Sequence, residues 1–360
     1  MSVDGVTDGV AVAAASRTTR PGRLRRRHTV ALTVAAVAAA MLVGLLVGPA
    51  DLTVHGVLLD LADALPGVHV DSGLTLPQHA ILWQIRMPRV VLGVLVGATL
   101  SLSGATYQGV FRNPLADPYL LGVSSGAGLG ATVAIVAGGS IGPFGVPLLA
   151  FAGGVVGVLA TYGLGSSVGG GRTNAVIVLA GVAVAAFFNA LQTLVQQWFD
   201  DSLTAVYAWM LGRLSTDGWT DVVAILPYVV VSAVVIMLHR RTLDLLALGD
   251  VEAASLGVDP ARARLLLVGA ATLGTAAVVS VSGLIGFVGV VVPHAARLLF
   301  GASHRTLLPV SMALGGAFLV LTDVLARWVL APAELPIGVV TAVVGAPFFV
   351  FVLRRRRSRA

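Results

Sequence analysis

A chain of 360 residues would suit two soluble domains, but this one is 57% hydrophobic and only 11% charged, which places it in the lipid bilayer. All 23 basic residues are arginine, so the lysine that a Walker A loop sets against phosphates is missing and the chain cannot be its own conventional ATPase. It has no cysteine, which excludes disulfides and thiolate metal sites, and its net charge of +6 comes from arginines at the ends of apolar runs, where topology accounts for them better than nucleic-acid binding.

Residues 1–28 are polar and end in Arg17, Arg20, Arg23, Arg25, Arg26 and Arg27. The apolar run that follows, Thr29 to Gly48, is too long for the ~7 to 15 residues of a signal-peptide core, so a retained first span with a cytoplasmic amino end is expected. Asp51 to Ile81 holds Asp51, Asp60, Asp63, Asp71 and three histidines but no arginine, which suits an external loop. Span two is Val90 to Val110, residues 111–118 form a cytoplasmic turn, and span three is Tyr119 to Ala137. Span four, Pro147 to Gly165, leads to a return at Ser166 to Asn174 with Arg172, and span five is Ala175 to Val195.

Gln196 to Thr220 is less apolar and carries Trp198, Trp209 and Trp219 beside Asp200, Asp201 and Asp217, which predicts an external loop with a short interfacial helix. Span six is Asp221 to Leu238. Leu265 to Ala296 has no formal charge over 32 positions; as one helix at ~1.5 Å per residue it would far exceed a ~30 Å hydrocarbon core. It is therefore expected to break at Ser282-Gly283 into span seven, Leu265 to Val281, and span eight, Leu284 to Phe300. Spans nine and ten are Leu307 to Leu330 and Pro336 to Leu353, before a basic tail at 354–360. Both termini are arginine-rich, so an even number of spans is required, and ten satisfies it. The permease domain then covers 29–353, and only Arg86, Arg89, Arg213 and Arg327 break the positive-inside bias.

Arg86 and Arg89 flank Pro88 at the outer mouth of span two. They read either as snorkelling anchors or as guanidiniums that fork the carboxylates of a soluble partner. Arg327 admits the same partner role or a pairing with Asp323, four residues earlier on the same helix face. Between Arg241 and Arg264, the apolar positions Leu245, Leu248, Ala253 and Leu256 with Gly249 and Gly257 predict two short amphipathic helices, a docking element for a cytoplasmic partner. Gly93 with Gly97, Gly153 with Gly157, and Gly269 with Gly274 stand at helix-packing spacings. His294 reads as a hydrogen-bonded structural histidine, and His55, His69 and His79 match no tight metal motif.

Arg86-Met87-Pro88-Arg89, the turn Asn113-Pro114-Leu115-Ala116-Asp117-Pro118, Leu121 to Gly126, the Leu245 to Gly257 loop, Gly286 to Gly289, Val292 to Arg297, and Glu334 to Thr341 with Gly345-Ala346-Pro347 resemble the permease subunits of ABC importers for iron siderophores, heme and vitamin B12, the FecCD type. The likeness runs from about Thr29 to Arg354. It implies an all-α integral membrane protein of ten helices per subunit with the type II importer architecture, paired with a second permease as a homodimer or heterodimer, two cytoplasmic ATPases and one extracytoplasmic binding protein. ATP and magnesium would sit on the ATPases, and this chain would hold no cofactor and perform no catalysis. By the same resemblance, Arg86, Arg89 and Arg327 meet acids on the binding protein. Leu245, Leu248, Gly249, Glu252, Ala253, Leu256 and Gly257 belong to coupling helices seated on the ATPases. Arginine-only, alanine- and valine-rich usage suggests a GC-rich bacterial genome, which makes a ferric siderophore the expected cargo, with heme and cobalamin as alternatives. An ion-coupled secondary transporter normally needs intramembrane carboxylates, and Asp323 alone is available. A membrane-embedded enzyme would need a nucleophile or paired-carboxylate constellation, which is missing.

Overall fold

The computed structural model describes residues 23–142, 144–167, 174–215 and 218–357. Most of the amino-terminal extension, Arg172, Asp217 and Arg359 lie outside the described residues. Ten apolar helices cross the bundle: α1 (Arg23–Leu46), α4 (Met87–Val110), α5 (Val123–Ala137), α6 (Gly145–Ser167), α7 (Asn174–Trp198), α9 (Thr220–Leu238), α12 (Pro260–Ser282), α13 (Val288–Phe300), α14 (His304–Trp328) and α15 (Ile337–Arg357). Five short helices occupy the links: α2 (Val54–Asp63), α3 (Leu76–Ala80), α8 (Leu203–Met210), α10 (Arg240–Leu246) and α11 (Asp250–Ser255). No strand occurs among the described residues. Seven of the ten have the length and hydropathy of full spans, while α5, α13 and α15 are shorter in their apolar parts.

The bundle is built around α4, α12 and α14, whose apolar windows are 83%, 72% and 67% buried, against 22% to 33% for α1, α6, α7 and α9. Between helices in lipid there is no hydrophobic drive, so close contact must come from small residues. On α4, Gly97 lies against the Gly315 carbonyl of α14, where a Cβ would stand 2.2 Å from the oxygen, and Gly104 lies against the Gly289 carbonyl of α13, where a Cβ would stand 1.9 Å away. Gly126 and Gly153 do the same between α5 and α6. Gly269, by contrast, has open space where its Cβ would be, so its spacing from Gly274 marks no helix contact.

Three sequence expectations take a different form. The helix of span two begins well before Val90: α3, a π-helical turn at Ile81–Arg86 and α4 run on continuously from Leu76. Pro88 lacks an amide hydrogen, and the wide π turn just before it re-registers the ladder, with the Met87 amide reaching back to the Leu82 carbonyl. Trp209 is not interfacial but 5% exposed, packed with Ala127, Ala131, Ala150 and Val279. Trp219 also turns inward, donating from Nε1 to the Trp83 carbonyl at 3.0 Å, whereas Trp198 remains 71% exposed.

The break after α12 falls at Gly283, which caps the helix with φ +68° and leaves no room for a Cβ beside the Trp209 carbonyl. The chain does not turn straight into another full span. Residues 283–287 run irregularly inward, and α13 starts only at Val288, level with Gly104 and Gln108 on α4.

Candidate functional site

The features with chemistry gather at the two ends of the bundle. At one end, α10 and α11 form a small hairpin after Arg240 and Arg241. Leu243, Leu246 and Ala253 are fully buried and fix it to the bundle, Leu245 is half-buried, and Leu248, Val251 and Leu256 are 62%, 80% and 58% exposed. Gly249 precedes α11 with φ +139°, and Glu252 folds back against it. Gly257 closes α11 with φ +83°, while the Val258 amide bonds the Ala253 carbonyl and the Gly257 amide bonds the Ala254 carbonyl, a Schellman closure. Asp259 then caps α12 by accepting from the Ala261 and Arg262 amides.

Two charged links tie this hairpin to the inner helices. Asp244 on α10 accepts from the backbone amide of His304 at 2.8 Å, and its carboxylate lies 2.7 Å from His304 Nδ1, at the start of α14. Burial works to raise the Asp244 carboxyl, but these bonds outweigh it and hold the group below its ordinary range. Asp250 on α11 receives Arg264 of α12 and lies 3.4 Å from Arg112, at the end of α4.

Arg112 opens the turn that the sequence singles out, adopting φ +52°. Asn113 makes an Asx turn, its Oδ1 accepting the Leu115 amide at 3.0 Å, and Asp117 Oδ1 accepts the Tyr119 amide at 2.8 Å. Pro114 borders a small gap beside His294 and Phe348, and Pro118 packs on Gly289. The turn thus carries the hairpin's charge link on one side and the irregular 283–287 segment on the other. His294 is buried, edge-on to Phe348.

At the opposite end the termini of α1, α4 and α14 and the α14–α15 link meet around three arginines. Arg86, 4% exposed, donates to the carbonyls of Leu45, Leu46 and Ala50, closing the carboxyl end of α1. Arg327 pairs with Asp323 at 3.0 Å and donates to the Val47 and Gly44 carbonyls. Arg89 makes two forks: Nε and Nη2 to Asp323 at 2.8 to 3.1 Å, and Nη1 and Nη2 to Glu334 at 2.9 and 2.8 Å. All three guanidiniums that the resemblance sets against a soluble partner also have partners inside the chain. The pairing of Arg327 with Asp323 follows the four-residue spacing. Glu334, 49% exposed, is the one solvent-facing member, and Arg89 holds its carboxyl below the usual range against the opposing effect of burial.

Beside this cluster, α2 and α3 cap the end. Asp60, 6% exposed, accepts from Trp83 Nε1 at 2.6 Å and Ser72 Oγ at 2.9 Å and faces His79 Nδ1 at 3.1 Å. Among the described residues no group of three His, Cys, Asp or Glu side chains could hold a metal. Arg213, which sequence reasoning left without a role, lines an open cavity of about 570 Å³ with Trp209, Phe144, Pro147, Ser280 and Asp221.

The chain is thus an all-helical bundle of apolar helices with a charge-anchored, partly exposed apolar hairpin at one end and an arginine cluster at the other. Residues 33–355 match the FecCD transport family, and the chain belongs to it. It is 43% identical over 302 residues to the cobalamin import system permease protein BtuC of Halobacterium salinarum, covering 84% of this chain and 80% of that one. It is 42% identical over 285 residues to the hemin transport system permease protein HmuU of Yersinia pestis, covering 77% and 84%. A solved structure described as the inward-facing conformation of a metal-chelate type ABC transporter superposes with a TM-score of 0.79 at 29% identity, over 92% of this chain and 99% of that one.

Proposed function

We propose that this permease carries a ferric siderophore inward across the cytoplasmic membrane by alternating access, and that cobalamin is the second reading. The observation that carries the importer reading is the α10–α11 hairpin, which exposes Leu248, Val251 and Leu256 while its charged links reach α4, α12 and α14. Such a surface suits a groove on an ATPase, with Leu245, Gly249, Glu252, Ala253 and Gly257 shaping it. The cargo assignment rests on the chelate class: relatives named for iron chelatin and Fe(3+)-citrate support the first reading, and the 43% identity to the cobalamin permease supports the second.

The assembly we assign is a homodimer of this chain with two ATPases, which hold ATP and magnesium, and one extracytoplasmic binding protein; this chain holds no cofactor of its own. Exposed apolar residues on α7 and α15, such as Leu179 and Val343 at 70% and 67%, supply faces for the second copy and the bilayer. The hairpin end is cytoplasmic, as are both termini, with 1–28 as an extension, 29–353 as the permease domain and 354–360 as a basic tail. Closure of the ATPase pair moves the hairpin and thereby the inner helices, switching the pathway between its two openings. On the outer side Arg89 offers its Glu334-facing edge to carboxylates of the binding protein, while Arg86 and Arg327 brace the helix ends beneath it.

The test is uptake of labelled ferric siderophore, cobalamin and heme, in parallel, by cells lacking this permease and by cells with it restored. Rescue of siderophore uptake alone supports the first reading and rescue of cobalamin alone the second. No rescue of any chelate, with the protein present in the membrane beside its ATPase, overturns the cargo class.

A further inference from the structure

Arg89 is satisfied twice over, and its two partners differ in kind. Asp323 is 2% exposed, lies on α14 and also neutralises Arg327. Removing it from Arg89 would strand a buried charge, which is costly. Glu334 is 49% exposed and lies on the non-helical link from α14 to α15. It contacts only the outward edge of the guanidinium, and in water it would be fully solvated. Arg86, Arg89 and Arg327 are balanced by Asp51, Asp323 and Glu334, so a further acid arriving at this cluster would leave it with an excess negative charge unless one carboxylate departs. Glu334 is the one that can.

We infer that Glu334 is an exchangeable internal carboxylate, which occupies the outward fork of Arg89 until an acidic side chain of the extracytoplasmic partner displaces it. This rests on the docking role given to Arg89 above. The exchange replaces one carboxylate by another at the same fork, so no charge is newly buried and the geometry of Arg89 on Asp323 is kept. Its consequence reaches further than docking. Glu334 precedes Leu335, whose amide bonds the Ala326 carbonyl, and α15 begins two residues later, with the Gly338 amide on the Leu211 carbonyl. Releasing Glu334 removes the side-chain tether of this lead-in, so arrival of the partner loosens the entry to α15.

The experiment uses the complete permease–ATPase complex in lipid nanodiscs and its binding protein, purified from native membranes and fluorescently labelled. A half-exposed ion pair in competition with a partner shifts affinity modestly, so Glu334→Gln is expected to bind the labelled protein about two- to fivefold tighter than wild type. Arg89→Gln is expected to bind it more weakly. Hydrogen exchange of residues 331–336 is expected to rise in the wild type when the binding protein docks. Glu334→Gln binding unchanged or weaker, with Arg89→Gln still weakened, overturns the exchange and leaves the docking role of Arg89 intact. Unchanged binding by Arg89→Gln overturns the docking role and the exchange with it. If Arg89→Gln does not assemble, exchange at 331–336 that fails to rise in the wild type is sufficient to overturn the inference.

Discussion

The hydroxyl of Tyr119 lies 3.1 Å from both polar atoms of Ile285, donating to its carbonyl and accepting from its amide. One side chain from the turn after α4 thereby satisfies the irregular backbone between α12 and α13. Backbone that is not helical survives at membrane depth only when protein supplies its partners. Tyr119→Phe leaves both Ile285 groups unpaired, at a cost of about 1 to 3 kcal/mol for each buried group. A lowered melting temperature in detergent with reduced uptake is expected; a melting curve identical to wild type would remove Tyr119 from this role.

The hairpin makes two separable contributions. Leu256→Asp puts a charge on the exposed apolar surface and is expected to abolish stimulation of the ATPase by the loaded binding protein, with the bundle still folded, since Leu256 is 58% exposed. Asp250→Asn weakens the link from α11 to Arg112 and Arg264 and is expected to leave ATPase binding intact while lowering transport per ATP hydrolysed. Transport and hydrolysis measured together on proteoliposomes check both.

Close helix contact gives a paired test. Gly104→Ala drives a Cβ into the Gly289 carbonyl and is expected to prevent accumulation of folded protein. Gly269→Ala meets nothing and should be neutral or stabilising by up to about 1 kcal/mol, since alanine is the better helix former. Size-exclusion profiles and melting temperatures of the two variants decide it.

Arg86 braces the carboxyl end of α1 in this arrangement. Arg86→Gln removes charge-assisted bonds to two α1 carbonyls and to that of Ala50 and is expected to lower the melting temperature, while the affinity of the folded fraction for the binding protein stays within about twofold, the range of a weak indirect effect. An affinity loss as large as that of Arg89→Gln, without loss of stability, would return Arg86 to the docking surface.

Asp60 predicts a pH dependence. Burial acts to raise its carboxyl, but hydrogen bonds from Trp83, His79 and Ser72 outweigh it, so the folded value lies below the ordinary 3.8. A depressed acid stabilises the fold above its unfolded value and loses that contribution as pH falls through and below it. Amide protection over α2 and α3 is therefore expected to be steady near neutrality and to fall in medium below about pH 4, with Asp60→Asn showing weaker protection that no longer depends on pH in that range.

Much of this was legible in the chain. Uncharged length forced a break in Leu265 to Ala296, and the glycine that could cap a helix fixed it at Gly283. The paired glycines and intervening leucines of 245–257 likewise announced a hairpin, because turn chemistry is local. What stayed hidden depends on partners distant in sequence. Arg86 looks like an anchor until the carboxyl end of α1 is seen to lack donors. Trp209 reads as interfacial by residue type, yet α8 folds it against α5 and α6. Tyr119 carried no signal beyond its place after Asp117-Pro118, since the groups it satisfies are 166 positions away. Val251, the most exposed apolar residue of the hairpin, fell between the periodic positions.

The anchoring of the hairpin has a mechanical meaning. Its charged ties reach α4, α12 and α14, the three pillars at the centre, and not the loosely covered helices α1, α6, α7 and α9. A displacement of the hairpin is therefore not absorbed at the rim. It bears on the central pillars, and α4 and α14 run unbroken from there to the Arg89–Asp323 joint, so the two ends of the bundle share one continuous pair of levers.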